Sequence, residues 1–255
     1  MFYPILYRYS KTEYLDPADE KNFKLGVIFA KINTQNVFKL LYYTFISAVG
    51  YYIMYDLDYF PNYLFGNGDL EKSMSKEITD RFFYEKPAYF NEYYLLSFTY
   101  HFTDLFFLVF VHESQSDFLM MLVHHICTVI LISFSYLGNY GNLGSLILIT
   151  HDFGDIFVHL CRLFTNTNSN NILKVMSGIL LLSVFAYTRL YVLLKLILGF
   201  LNNVGTHNLL FSIQWSFLWV LYCLHIIWMY MISKKVYKAI SKHIYEDSFN
   251  IKKIR

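Results

Sequence analysis

Six stretches of this chain stay apolar over about twenty residues or more: Val37–Tyr55, Tyr93–Val111, Phe118–Leu137, Leu143–Phe164, Ile172–Phe200 and Asn208–Ile232. They constrain the fold more than any other feature, because roughly 20 helical residues cross the ~30 Å hydrocarbon core of a bilayer. Each run is near-continuous in its apolar character, whereas membrane β-strands alternate over about ten residues, so the runs read as helices. The charged fraction, 16%, falls well below the roughly 25% of soluble domains. The expected fold is all-α, a polytopic membrane protein with six transmembrane helices.

Lys and Arg are unevenly distributed between the segments that join these runs, and that asymmetry sets orientation. The segment after Ile232, "SKKVYKAISKHIYEDSFNIKKIR", is densely basic, and Arg8, Lys11, Lys21, Lys24 and Lys31 precede the first run. Eight acidic residues, from Asp56 to Glu92, lie between the first two runs against Lys72, Lys76, Arg81 and Lys86, while "GNYGN" and "LNNVGT" carry no charge. Both termini are therefore expected in the cytosol, as six spans require. The expected organisation is a cytosolic segment over 1–36, the transmembrane domain over 37–232 and a basic cytosolic tail over 233–255.

The first 36 residues hold no continuous apolar core, so no cleavable signal peptide is expected and the first span acts as the targeting signal. Lys252-Lys253-Ile254-Arg255 resembles a dilysine retrieval signal of endoplasmic reticulum membrane proteins, although a basic tail also attracts anionic headgroups without one. Cys127, Cys161 and Cys223 are spread over three runs, which argues for small buried side chains rather than a disulfide framework.

Ionisable side chains at bilayer depth cost roughly 2.5–3.5 kcal/mol each on insertion scales, so each needs a partner or a task. His101 and Asp104 lie in the second run, His124 and His125 in the third with Thr128 one turn on, and His151, Asp152, Asp155, His159 and Arg162 in the fourth. Arg189 and Lys195 follow in the fifth and Gln214 and His225 in the sixth. His151, Asp155, His159 and Arg162 advance by four, four and three, which places them on one stripe expected to face the interior. The short "GNYGN" connection makes the third and fourth helices antiparallel neighbours, so that the histidine pair confronts Asp152 and Asp155. Consecutive residues diverge by about 100° on a helix, so only one of His124 and His125 can point squarely at those acids. Arg189 and Lys195 read as counter-charges or anchors that reach for the interface.

A histidine held by a carboxylate can act as a general base or as a nucleophile in acyl transfer. The same groups could bind a metal, but ligand pairs at i, i+3 or i, i+4 are missing among the histidines of a single helix. A proton-relaying transporter fits less well, because no run is broken by Pro or Gly in mid-membrane. Acyl transfer ranks first, then metal-dependent lipid hydrolysis, then transport.

The segment Ser116–Phe164, "SDFLMMLVHHICTVILISFSYLGNYGNLGSLILITHDFGDIFVHLCRLF", resembles the signature of the ceramide synthases among TLC-domain proteins. The shared elements are D-F, H-H-x-x-T, the exit marked by Ser135, Asn139 and Gly144, and H-D-x-x-D. "TRL" at Thr188–Leu190 and "LHIIWMYMI" at Leu224–Ile232 extend the likeness. The resemblance implies a six-helix membrane barrel that transfers a fatty acyl group from acyl-CoA to the amine of a sphingoid base. It implies His124, His125, Asp152 and Asp155 as catalytic residues, with Thr128, His151, Arg189 and His225 around the substrates. Acyl-CoA enters as co-substrate, with no metal, no other cofactor and no nucleic acid. Membrane lipids, and a homodimer or heteromeric membrane complex, complete the expected partners.

The sequence departs from that pattern in "HESQSDF", which has Glu113 and no Lys or Arg before D-F, and in "VHLCR", which puts His159 where glutamate is common. A TLC-domain protein that binds lipid or serves as a structural subunit without catalysis is therefore the alternative.

Overall fold

The computed structural model describes residues 17–70, 86–111, 117–166, 171–203 and 209–254. Arg8, Lys11, Lys72, Lys76, Arg81, Glu113, the middle of the Asn-rich stretch at 167–170 and Arg255 lie outside the described residues. The rest forms α1 (Pro17–Met54), α2 (Phe90–Val111), α3 (Phe118–Leu137), α4 (Gly141–Asn166), α5 (Asn171–Phe185), α6 (Leu193–Asn203) and α7 (Leu209–Ile254). A π-helical stretch, Ala186–Val192, joins α5 directly to α6. No β-strand occurs among the described residues; one isolated bridge joins Pro61 and Gly68 in the connection that follows α1.

The helices close into a ring: α1 packs on α2, α2 on α3, α3 on α7, α7 on α5, α5 on α4, and α4 back on α1. The arrangement is all-α, as the apolar runs predict, and closed, as the resemblance implies. Five helical segments among the described residues are long and apolar enough to cross a membrane: Thr34–Met54, Phe118–Leu137, Gly141–Asn166, Asn171–Gly199 and Leu209–Ser241. They coincide with five of the six apolar runs. The remaining run is also a helix, α2, which carries Glu92, His101 and Asp104. Its outer face is nonetheless apolar, with Phe102, Phe106 and Phe110 at 52%, 54% and 67% exposure. Its 22 residues extend about 33 Å at 1.5 Å each. α1 and α7 run without interruption across Val37 and Ile232, the expected edges of the membrane domain.

Three details differ from expectation. α3 and α4 touch, but α3 packs more extensively on α2 and α7, and α4 on α1 and α5, so the hairpin they form crosses the ring. The fifth span, which has no Pro and only Gly178 and Gly199, still changes its winding at Ala186–Val192. Of the cysteines, all free, only Cys127 is buried; Cys161 is partly exposed and Cys223 exposed, because the greasy outer surface of a membrane bundle accepts a thiol as readily as its core does.

The α3–α4 connection explains the spacing of Ser135, Asn139 and Gly144. Asn139 takes the left-handed conformation at φ 59°, which asparagine tolerates better than most residues. The Tyr140 N–H then donates to the Ser135 carbonyl at 2.8 Å, the six-to-one bond of a Schellman termination. At Gly144 any Cβ would collide with the Tyr94 hydroxyl and the Ser135 hydroxyl. Glycine is what lets α2, α3 and α4 meet there.

Candidate active site

Inside the ring lies a cavity whose lining is mostly apolar. His101, His124, His151, Asp155, Arg189 and Gln214 supply its polar lining, with Thr128, Ser135 and Tyr140. Leu131, Ile132, Leu143, Ile147, Leu148, Leu218 and Leu221 supply its apolar lining. From His124 to Ser135 the cavity follows eleven residues of α3, about 16 Å, or roughly half the hydrocarbon thickness.

The histidine pair divides. His124 lines the cavity, while His125 turns away and places Nε2 3.6 Å from Asp104 Oδ2 on α2. The His124 ring meets Trp228 and His225 edge-on, at centroid distances of 5.1 and 5.8 Å. The Thr128 hydroxyl donates to the His124 carbonyl at 2.9 Å, one turn back along α3, so its proton is committed to the helix that presents His124.

The acids divide as well. Asp155 lines the cavity and accepts from Arg189 Nη2 at 2.7 Å; the same nitrogen donates to the His151 carbonyl at 2.9 Å. Asp152 faces α2 instead, with Oδ1 3.6 Å from His101 Nε2 and the residue fully buried. Of the four residues expected to confront one another, His124 and Asp155 line the same cavity, while His125 and Asp152 turn toward α2. His101 and Arg189 stand beside these acids, and no hydrogen bond joins His124 or His125 to either of them.

His151 and His225 form a second pair, Nε2 to Nε2 at 3.0 Å. His151 Nδ1 sits 2.7 Å from the Ile147 carbonyl. A carbonyl only accepts, so Nδ1 bears the proton, His151 Nε2 is the acceptor and the His225 Nε2–H donates to it. Among the described residues the His225 Nδ1 has no hydrogen-bond partner and is buried.

The polar stripe of α4 winds out of the cavity. A step of four residues advances about 40° beyond a full turn, so His151 faces α7 while His159 faces α1, within 3.1 Å of Asn36 Oδ1 and stacked on Tyr43. Arg162, the last member, is exposed rather than interior. Arg189 is the counter-charge expected, and Lys195 lies over the Tyr191 ring at 6.0 Å.

Two features of the site carry little signal in the sequence. Trp228 reads as an interface aromatic, yet it packs on both His124 and His225; its i+3 spacing from His225 was the available clue. The π-helical stretch carries Arg189 into the interior at 2% exposure, and such widened turns are frequent at functional sites. Gly154 makes room for it, since a Cβ there would stand 3.1 Å from Thr188 Oγ1 and 3.2 Å from Arg189 Nε. Among the described residues no group of three or more His, Cys, Asp or Glu side chains stands at metal-ligating spacing.

Fold and site together define a polytopic α-helical membrane protein whose ring encloses a histidine-lined, largely apolar cavity. The chain belongs to the TLC domain family, whose model matches residues 33–234. It is similar to ceramide synthase 4 of Bos taurus, 32% identical over 161 residues, which cover 62% of this chain and 40% of that protein. It is also similar to ceramide synthase 5 of Homo sapiens, 29% identical over 153 residues, 58% of this chain and 38% of that protein. Ceramide synthase LOH2 of Arabidopsis thaliana is 40% identical over 50 residues, 20% of this chain and 17% of that protein. The matched region spans about two-fifths or less of the length of these relatives.

Proposed function

We propose that this protein is a ceramide synthase, an N-acyltransferase that joins the fatty acyl group of acyl-CoA to the amine of a sphingoid base. The observation that carries this reading is His124. It is set in the wall of a long apolar cavity, beside the His151–His225 pair and a cavity-facing Arg189–Asp155 pair. An aliphatic chain fits such a lining, and an imidazole there can take the ammonium proton or carry the acyl group transiently. In this proposal Asp155, through Arg189, fixes the wall opposite His124, while His125 and Asp152 act from behind it. Thr128, His151 and His225 shape the site around the substrates. α2 serves as the sixth span, with its phenylalanine face toward lipid. The basic segments at both ends of the chain favour cytosolic termini, and the resemblance to ceramide synthases implies the endoplasmic reticulum membrane.

The test is expression in cells that lack their own ceramide synthases, following N-acylation of a labelled sphingoid base. Product formed by wild type and lost in His124→Ala is the expected result. A correctly inserted wild type that yields no ceramide sinks the enzymatic reading. One observation favours a second reading, a lipid-binding subunit without catalysis: neither histidine of the pair is hydrogen-bonded to Asp152 or Asp155. Retention of a bound sphingoid base by that inactive wild type would select it.

A further inference from the structure

α2 carries a polar stripe that the proposed acyl transfer leaves unused. Tyr93, Ser97, His101 and Asp104 recur at intervals of four, four and three residues and so share a face. The first three are at most 5% exposed. Toward α1, Lys39 Nζ donates to both oxygens of Asp104 at 2.7 Å, and that carboxylate also stands 3.6 Å from His125 Nε2. One turn away, His101 lines the cavity and holds Nε2 3.6 Å from Asp152 Oδ1, too long for a direct hydrogen bond. Both oxygens of Asp152, the Tyr93 hydroxyl, His101 Nε2 and His125 Nδ1 are buried with no hydrogen-bond partner among the described residues. Interiors satisfy such atoms with bound water, and a site with several polar atoms is where water stays.

We propose that the seam between α1, α2 and α4 holds internal water and is the path by which the reaction's proton leaves the cavity. The path runs from His101 and Asp152 to Asp104 and His125. Asp104 and Lys39, with side chains 17% and 28% exposed, form its outer end. Lys39 from α1 and His125 from α3 stand against Asp104, and Tyr42 and Tyr43 from α1, Tyr100 and His101 from α2 and His159 from α4 lie within its electrostatic reach.

The role rests on the acyl-transfer reading. In that reaction an ammonium and a thioester become an amide and a thiol. The N–C bond forms, the C–S bond breaks, and the nitrogen loses two protons. One ends on the thiol sulfur; the other has to reach bulk water from inside a membrane bundle, and the seam supplies acid–base groups for it.

Purified full-length protein in lipid nanodiscs is assayed with acyl-CoA and sphinganine, comparing wild type, Asp104→Asn and Asp104→Glu with and without added imidazole. Asp104→Asn is expected to lower kcat about tenfold or more while the acyl-CoA KM stays within about twofold. Asp104→Glu restores most of the rate, and imidazole recovers part of it in Asp104→Asn. An unchanged kcat, or a loss that neither glutamate nor imidazole relieves, overturns the exit. X-ray hydroxyl-radical labelling of wild type reads the water without turnover, with Tyr93 and Tyr100 expected to oxidise well above Tyr59, which is 1% exposed. Labelling no stronger than at Tyr59 overturns the water path even where acyl transfer is intact. Strong labelling in a wild type without turnover removes the acyltransferase reading, and the exit with it.

Discussion

His124 and His125 are consecutive in α3, yet their rings stand 5.5 Å apart with planes crossing at 69°, and only His124 looks into the cavity. The dyad is therefore two devices on one turn. His124→Ala is expected to cut N-acylation by about 10²–10⁴-fold, the usual worth of a positioned acid–base group. His125→Ala removes a group that touches Asp104 instead and costs less. Initial rates on the same sphingoid base, at matched membrane expression, decide this; a larger loss in His125→Ala than in His124→Ala inverts the assignment.

The Arg189–Asp155 pair is the second expected point of fragility. Arg189 is 2% exposed and its partner's side chain 22%. Removing one member of a buried pair strands the other and costs about 3–5 kcal/mol at full burial, less where a partner keeps some solvent. Arg189→Met should lower the thermal midpoint in detergent by several degrees, and the double variant Arg189→Met/Asp155→Leu should recover most of it. A double variant no more stable than Arg189→Met shows that the arginine contributes packing rather than charge balance.

Much of this architecture is legible in the sequence. Five spans match helices to within a few residues, except at the cytosol-facing ends expected for α1 and α7, where the helices simply continue. The polar positions also follow from the cost of charge in lipid, while the ring is implied by the family resemblance. What the sequence hides is azimuth. It puts His124, His125, Asp152 and Asp155 at compatible depths, but which faces which depends on helix neighbours, and α3 lies beside α2 and α7 rather than mainly beside α4. His101 and Arg189 therefore reach the acids first. The π-helical turn is hidden for another reason: one extra residue per turn leaves no composition mark, and "AYTRLYV" reads as ordinary helix.

Gly144 is expected to be intolerant of any side chain. Its added Cβ would strike the Tyr94 hydroxyl and Ser135, and overpacking of this kind costs about 1–3 kcal/mol. Gly144→Ala should lower the thermal midpoint, and Tyr94→Phe in that background should return part of the loss although Tyr94→Phe alone, which breaks a bond to the Gly141 carbonyl at 3.2 Å, is destabilising. Additive losses in the double variant would mean that Gly144 is required for backbone reasons instead.

The depth of the cavity sets the last prediction. Leu218 on α7 is 1% exposed and lines the cavity with Ile147 and Leu131, within the apolar portion beyond His124. A larger side chain there shortens the space for an aliphatic tail without touching the histidines. Leu218→Phe is expected to preserve transfer of short acyl groups while reducing transfer of long ones, each excluded methylene being worth about 0.8 kcal/mol of lost burial, or roughly fourfold in kcat/KM. Competition assays with a series of acyl-CoA lengths read this directly as a shift in product distribution. A uniform loss across all lengths would place the acyl chain elsewhere and leave this cavity to the sphingoid base.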